Sequence, residues 1–162
     1  MNNIADNLAE IESKINQAKI NANRTNDCIT LLAVSKTKPA SDILSAYQTG
    51  QRHFGENYVQ EAVNKVELLS SLTDICWHFI GPIQSNKTRL IAQNFSWVHS
   101  IDREKIANRL NEQRKGQHTP LNVCLQVNIS QESTKSGASV EEVFDLAAHV
   151  NQSEFLQLRG LM

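Results

Sequence analysis

Apolar residues recur along this chain with two alternating periods. Ile4, Leu8, Ile11, Ile15 and Ala18 stand at helical spacing among polar neighbours, which predicts an amphipathic helix with one buried stripe. Beyond it TLLAVSK reads as a strand, SDILSAYQT as a helix closed by Gly50, and RHFGEN as a short strand. A helix follows through about Leu69, then the strand WHFIG, then a helix opened by Ser85 or Asn86. FSWVHSI is the next strand. Asp102 is expected to cap the helix after it, with Ile101 and Ile106 as a hydrophobic staple. LNVCLQVNIS is the clearest strand, Ser139 and Glu142 form a capping box for VEEVFDLAAHV, and LQLRGLM begins a sixth strand.

Strands that alternate with crossover helices predict parallel pairing and an α/β fold. The fifth strand discriminates further. Leu121, Val123, Leu125, Val127 and Ile129 share one face, while Asn122, Cys124, Gln126 and Asn128 share the other. An open doubly wound sheet covers both faces with helices and favours apolar residues on both. A barrel that hosts a site turns its apolar face outward to helices and keeps a polar interior. An edge strand with one wet face is the alternative. The chain ends at Met162 inside an apparent strand, whereas a closed eight-stranded barrel typically takes about 250 residues. Pattern alone therefore leaves a smaller open sheet beside a barrel that lacks its last units, within a single domain over 1–162.

Composition narrows the function classes. The 162 residues carry a formal net charge of −1, which gives no electrostatic case for nucleic acid or an anionic membrane. No apolar run approaches the length of a membrane-spanning helix. MNNIADNLAE has neither a basic n-region nor an apolar h-region, so no secretory signal is expected. Cys28, Cys76 and Cys124 form no CxxC pair, as expected of reduced cysteines in a cytoplasmic protein.

Polar residues cluster just after the strands: Lys36 and Lys38, Glu56 and Asn57, Gln84 to Lys87, His99 and Ser100, then Ser133, Lys135, Ser136 and Gly137. In parallel α/β folds these C-terminal strand ends carry the site. Lys36 shares strand parity with Leu32 and Val34, a face that a neighbouring element is expected to cover. Lys38 follows two residues on, held extended by Pro39, so both lysines are expected on one side. A desolvated ammonium beside a second one loses its proton more readily and becomes an amine nucleophile for a carbonyl compound. The alternative is a solvated lysine that snorkels from a strand end. His78 in mid-strand, with His53 and His99, reads as a hydrogen-bonded core histidine. The histidines lack HxxxH or HExxH spacing, so no metal site is expected. No GxGxxG or Walker loop occurs. Ser85 and Asn86 read as a helix cap, or as a cap whose N–H groups meet an anion.

AVSKTKP, FGENYVQE, WHFIGPIQSNK, SIDR, LQVNIS followed by KSG, and LRGLM resemble, in order and spacing, the pyridoxal 5′-phosphate homeostasis proteins. The resemblance covers essentially the whole chain. It implies the alanine-racemase-like barrel of fold type III after an N-terminal helix, and so a partial TIM-type (β/α) barrel of about six parallel strands here. It also implies a cytoplasmic protein that holds pyridoxal 5′-phosphate through a lysine, without an established reaction. The family's Schiff-base lysine matches Lys36. Lysines matching Lys38 and Lys135 lie near that pocket, and Asn57 and His78 match positions facing the barrel interior. Family members continue past GLM for about two further strand–helix units, with a serine- and glycine-rich phosphate region, in line with the usual barrel phosphate site. A chain without two charge-assisted hydrogen bonds to the phosphate is expected to bind roughly 3–6 kcal/mol more weakly.

The leading expectation is a small-molecule cofactor carrier or buffer, a monomer as in the family, although a truncated chain of this kind is open to self-association. The runner-up is a fold type III enzyme such as an amino-acid racemase, which needs a positioned acid/base on the second face of the cofactor. The only tyrosines, Tyr47 and Tyr58, lie at predicted helices. A lysine Schiff-base aldolase and a functionally silent fragment complete the alternatives.

Overall fold

The computed structural model describes residues 4–130, 132 and 136–162. They form a parallel six-stranded sheet in the order β1-β2-β3-β4-β5-β6. Its strands are β1 (Ala33–Val34), β2 (His53–Glu56), β3 (Cys76–Phe79), β4 (Trp97–Ile101), β5 (Leu121–Leu125) and β6 (Leu156–Leu161). Helices α2 (Ala40–Gln48), α3 (Val59–Leu68), α4 (Thr88–Asn94), α5 (Glu104–Arg114) and α6 (Val143–Asn151) connect them, and α1 (Ile4–Asn21) precedes them. Strictly sequential order with every crossover on the same side is the curl of a (β/α) barrel wall, here six strands of it.

Alternation along each strand separates two faces. Phe54, Phe79, Val98, Leu121, Val123 and Leu125 are almost wholly buried under the helices, against Ile43, Ala62, Ile91, Ile106, Leu110 and Val150. Each fully buried side chain of this size contributes about 1.5–3 kcal/mol relative to exposure. Phe79 and Phe95 meet edge-on with ring centroids 5.4 Å apart. The opposite face carries His53, His78, Trp97, His99 and Asn122, and is polar as the fifth strand predicts. Gly55 belongs to it: a Cβ there would stand 3.1 Å from Ile80 Cδ1 and 3.5 Å from Leu32 Cδ2.

Several local expectations need correction. The stripe of α1 is not buried, since no residue of that helix is, and only Ile4 and Leu8 pack partly against the core. TLLAVSK contracts to a two-residue strand because Lys38 N–H bonds back to the Ser35 carbonyl, closing a turn in place of extended chain. The inner face of β1 is not covered, and Val34 is 52% exposed. Arg103, not Asp102, precedes α5, without a side-chain cap; the Asp102 carboxylate instead accepts from Arg103 Nη1. Ser85 and Asn86 cap nothing but enter a 3₁₀ turn (Ser85–Lys87) before α4. β5 stops at Leu125, and Ile129 beyond it is 75% exposed. By contrast, the Ser139–Glu142 box closes as predicted, at 3.0 and 3.2 Å, on the turn leading into α6. Gly50 ends α2 in a left-handed conformation, with φ +104°. The three cysteines are free thiols.

Candidate functional site

Lys36 stands at the C-terminal end of β1, one residue past the point where Ser35 N–H still bonds the Gly55 carbonyl of β2. The chain then turns sharply. Thr37 adopts φ +62°, a conformation costly for a β-branched residue unless its surroundings hold it there. They do so through polar contacts from behind the sheet. Thr37 N–H donates to Glu61 Oε1 at 2.7 Å, and Lys65 Nζ donates to Glu61 Oε1 at 2.6 Å, Glu56 Oε1 at 2.8 Å and the Ser35 carbonyl at 2.8 Å. Ser35 Oγ–H completes the set on Glu56 Oε1 at 2.6 Å. Glu56 is fully buried and Lys65 nearly so. The Lys65 hydrogen bond holds the Glu61 carboxyl below the usual carboxylate range against a smaller upward push from burial, with lesser help from the Thr37 N–H and the Lys65 charge.

Lys36 itself is exposed, an amine at the mouth of the polar face on a rigid turn. Parity fails for its neighbour. Past the turn, Lys38 lines a groove of about 400 Å³ with Ile4, Leu8 and Asp42, between α1 and α2 on the outer side of β1. Lys135 and Ser133 lie outside the described residues. Asn57 follows β2 beside the turn, and its Oδ1 is buried with no hydrogen-bond partner. Its backbone packs against Gly81 after β3, where a Cβ would overlap the Asn57 carbonyl. Ser100 Oγ–H donates to the Gly81 carbonyl and fixes that approach.

Below this level the polar face holds a chain of imidazoles that no sequence spacing announced. His53 Nδ1 lies 2.9 Å from His78 Nε2, and His78 Nδ1 lies 2.9 Å from His99 Nε2. Trp97 stacks on His78 at 5.4 Å and 18°. Burial first, then the neighbouring imidazoles, pushes the His78 pKa down to about 3, and burial lowers that of His99. Both rings are therefore neutral at ordinary pH. A second cavity of about 530 Å³ opens beyond β5, lined by Ile80, Gln126, Asn128 and Met162 among others. Of the two tyrosines only Tyr47 lies away from the Lys36 end, since Tyr58 directly follows Asn57 after β2. Tyr47 Oη–H donates to Asp74 ahead of β3, at the opposite end of the strands from Lys36, and Tyr58 is exposed.

Comparison with known proteins places this arrangement. Residues 2–162 match the family of the alanine racemase N-terminal domain. The pyridoxal phosphate homeostasis protein of Escherichia coli is 55% identical over 164 aligned positions, covering all of this chain and 70% of that protein. The protein of the same name from Haemophilus influenzae is 55% identical over 161 positions. PipY of Synechococcus elongatus, solved without PLP, superposes with a TM-score of 0.86 at 37% identity, over 98% of this chain and 69% of that one. The form with PLP bound gives 0.80 at 35%. Alanine racemase from Corynebacterium glutamicum shares the fold alone, at 16% identity and a TM-score of 0.59. A six-strand barrel wall with this degree of identity leaves one assignment: the chain belongs to the pyridoxal phosphate homeostasis proteins, within the alanine racemase N-terminal domain family.

Proposed function

We propose that residues 1–162 act as a single pyridoxal 5′-phosphate-binding domain in intracellular cofactor homeostasis, with the cofactor held as a Schiff base on Lys36. The observation that carries the reading is the braced turn: an exposed primary amine at a C-terminal strand end, on backbone fixed by Lys65, Glu56 and Glu61. When bound, the cofactor supplies an aldehyde that condenses with an amine and releases water. The chain's own groups do the rest. Lys36 is the amine, and the buried, unpartnered Asn57 Oδ1, just past the end of the neighbouring strand β2, is an acceptor that suits a ligand bringing a hydroxyl or protonated ring nitrogen. His78 and Lys38 contribute less directly, the first as a neutral ring deeper in the wall and the second from the outer groove. Lys135 is proposed as a further contact on the resemblance alone.

A carrier fits these residues better than a racemase. Racemisation needs an acid/base opposite Lys36; the Tyr47 hydroxyl is tied to Asp74 at the far end of the strands, and Tyr58, just past β2, is 57% exposed to solvent. PLP is the name carried both by the curated relatives and by the bound form of PipY. No helix among the described residues is long and apolar enough to cross a membrane, which accords with the cytoplasmic site proposed for this role.

The test adds pyridoxal phosphate to the purified chain, reduces with borohydride and maps adducts by peptide mass. A single adduct on Lys36, absent in Lys36→Ala, is the expected result. Scattered labelling of surface lysines, or equal labelling of the variant, would overturn the reading.

A further inference from the structure

Three metal-binding side chains converge on the inner face at the opposite end of the strands from Lys36. His53 opens β2, Cys76 opens β3, and the sheet register pairs them directly. His78 lies two residues after Cys76, so the strand period of two returns it to the same face. The donor atoms of the three lie within 4.8 Å of one another. We propose that His53, Cys76 and His78 form a binding site for one borderline divalent cation of the Zn²⁺ type, at the opposite end of the strands from the amine of Lys36.

The chemistry of the donors selects the ion. Two imidazole nitrogens and a sulfur suit Zn²⁺ or Co²⁺, whereas Mg²⁺ and Ca²⁺ require oxygen ligands. Three protein ligands leave a fourth tetrahedral position for water or a small anion. The surroundings are those of a ligand set that is already oriented. His78 presents Nε2 toward His53 and uses Nδ1 on His99 Nε2 at 2.9 Å. In the tautomer with His78 Nδ1–H donating to His99 Nε2, the Nε2 lone pair faces His53 and is available to a metal. Trp97 stacked on the ring prevents its rotation. His53 and His78 nitrogens, now 2.9 Å apart, need only a small separation to flank an ion.

Binding balances simply. The cation displaces the thiol proton of Cys76 to solvent, forming a metal–thiolate bond. The proton shared between His53 and His78 moves to the outer nitrogen of His53, so one proton leaves per ion bound. His53 also lines a surface cavity of about 430 Å³ with Glu12, Asn16 and Arg52.

Titration of the metal-free 162-residue chain with Co²⁺ tests this. The expected result is one ion per chain, with thiolate-to-cobalt charge-transfer absorption and the intense visible bands of tetrahedral cobalt. That signal is lost in Cys76→Ser and in His53→Gln, persists in Cys28→Ser and His118→Gln, and weakens by about 10–100-fold in affinity in His99→Asn. X-ray absorption of the Zn²⁺-loaded unmutated chain gives a readout independent of any variant's folding, with one sulfur and two imidazole nitrogens expected in the first shell. Charge transfer that survives Cys76→Ser or follows Cys28, a sulfur-free shell, or no binding would each overturn the proposal. None of these outcomes bears on adduct formation at Lys36.

Discussion

Lys65 Nζ lies 2.8 Å from the carbonyl oxygen of Ser35, the residue immediately before Lys36. One buried cation on α3 thus grips the strand end that presents the candidate amine, while its other hydrogen bonds hold Glu56 and Glu61. Removing one partner from a buried ion pair leaves the other charge uncompensated, at a cost of about 3–5 kcal/mol. Lys65→Ala is therefore expected to lose stability on that scale in urea unfolding. In whatever fraction stays folded, it is expected to form the Lys36 adduct more slowly, because the turn is released. Unfolding unchanged to within about 0.5 kcal/mol would show the network is idle.

Glu61 gives this network a pH signature. Its folded pKa lies below the ordinary carboxylate value of 4.5, chiefly through Lys65. A depressed acid contributes its full stabilisation above its unfolded pKa and loses it as pH falls through the folded one. The stability gap between the unmutated chain and Glu61→Gln is expected to be constant near neutrality and to shrink below pH 4.5. Denaturation midpoints across a pH series measure it.

Gly81 and Gly160 separate a close approach from a free position. A Cβ at Gly81 would overlap the Asn57 carbonyl and stand 2.8 Å from Asn57 Cα, whereas one at Gly160 meets nothing within 4 Å. Gly81→Ala is expected to destabilise the fold by at least about 2 kcal/mol and to displace the Asn57 loop, and Gly160→Ala to stay within about 0.5 kcal/mol. Thermal melts of the two variants decide it.

Lys36→Ala is expected to separate function from fold. The side chain is exposed, so unfolding should move by less than about 0.5 kcal/mol, while the borohydride-trapped adduct disappears. A large stability loss would mean that the lysine is a structural element of the turn.

Much of this architecture is legible in the chain. The single-face apolar run Leu121, Val123, Leu125 lies wholly buried under helices, as its alternation requires. The Ser139–Glu142 box forms because both groups belong to one local turn. Expectations failed where a local rule competed with distant partners. The α1 stripe stays half-exposed because only its first turns meet the core. The parity that aligned Lys36 with Lys38 holds only for extended backbone, and Glu61, 24 residues away, accepts the Thr37 N–H and holds a turn instead.

By itself the sequence determined the strand–helix alternation, the parallel wall and the position of Lys36 at a strand end, because hydrophobic period and crossover geometry are properties of short segments. Only the tertiary structure decided which polar groups meet. Lys65 reaches Ser35 and Glu56, and His53 meets Cys76 and His78, through strand register and helix docking. Those pairings join residues that no local spacing connects.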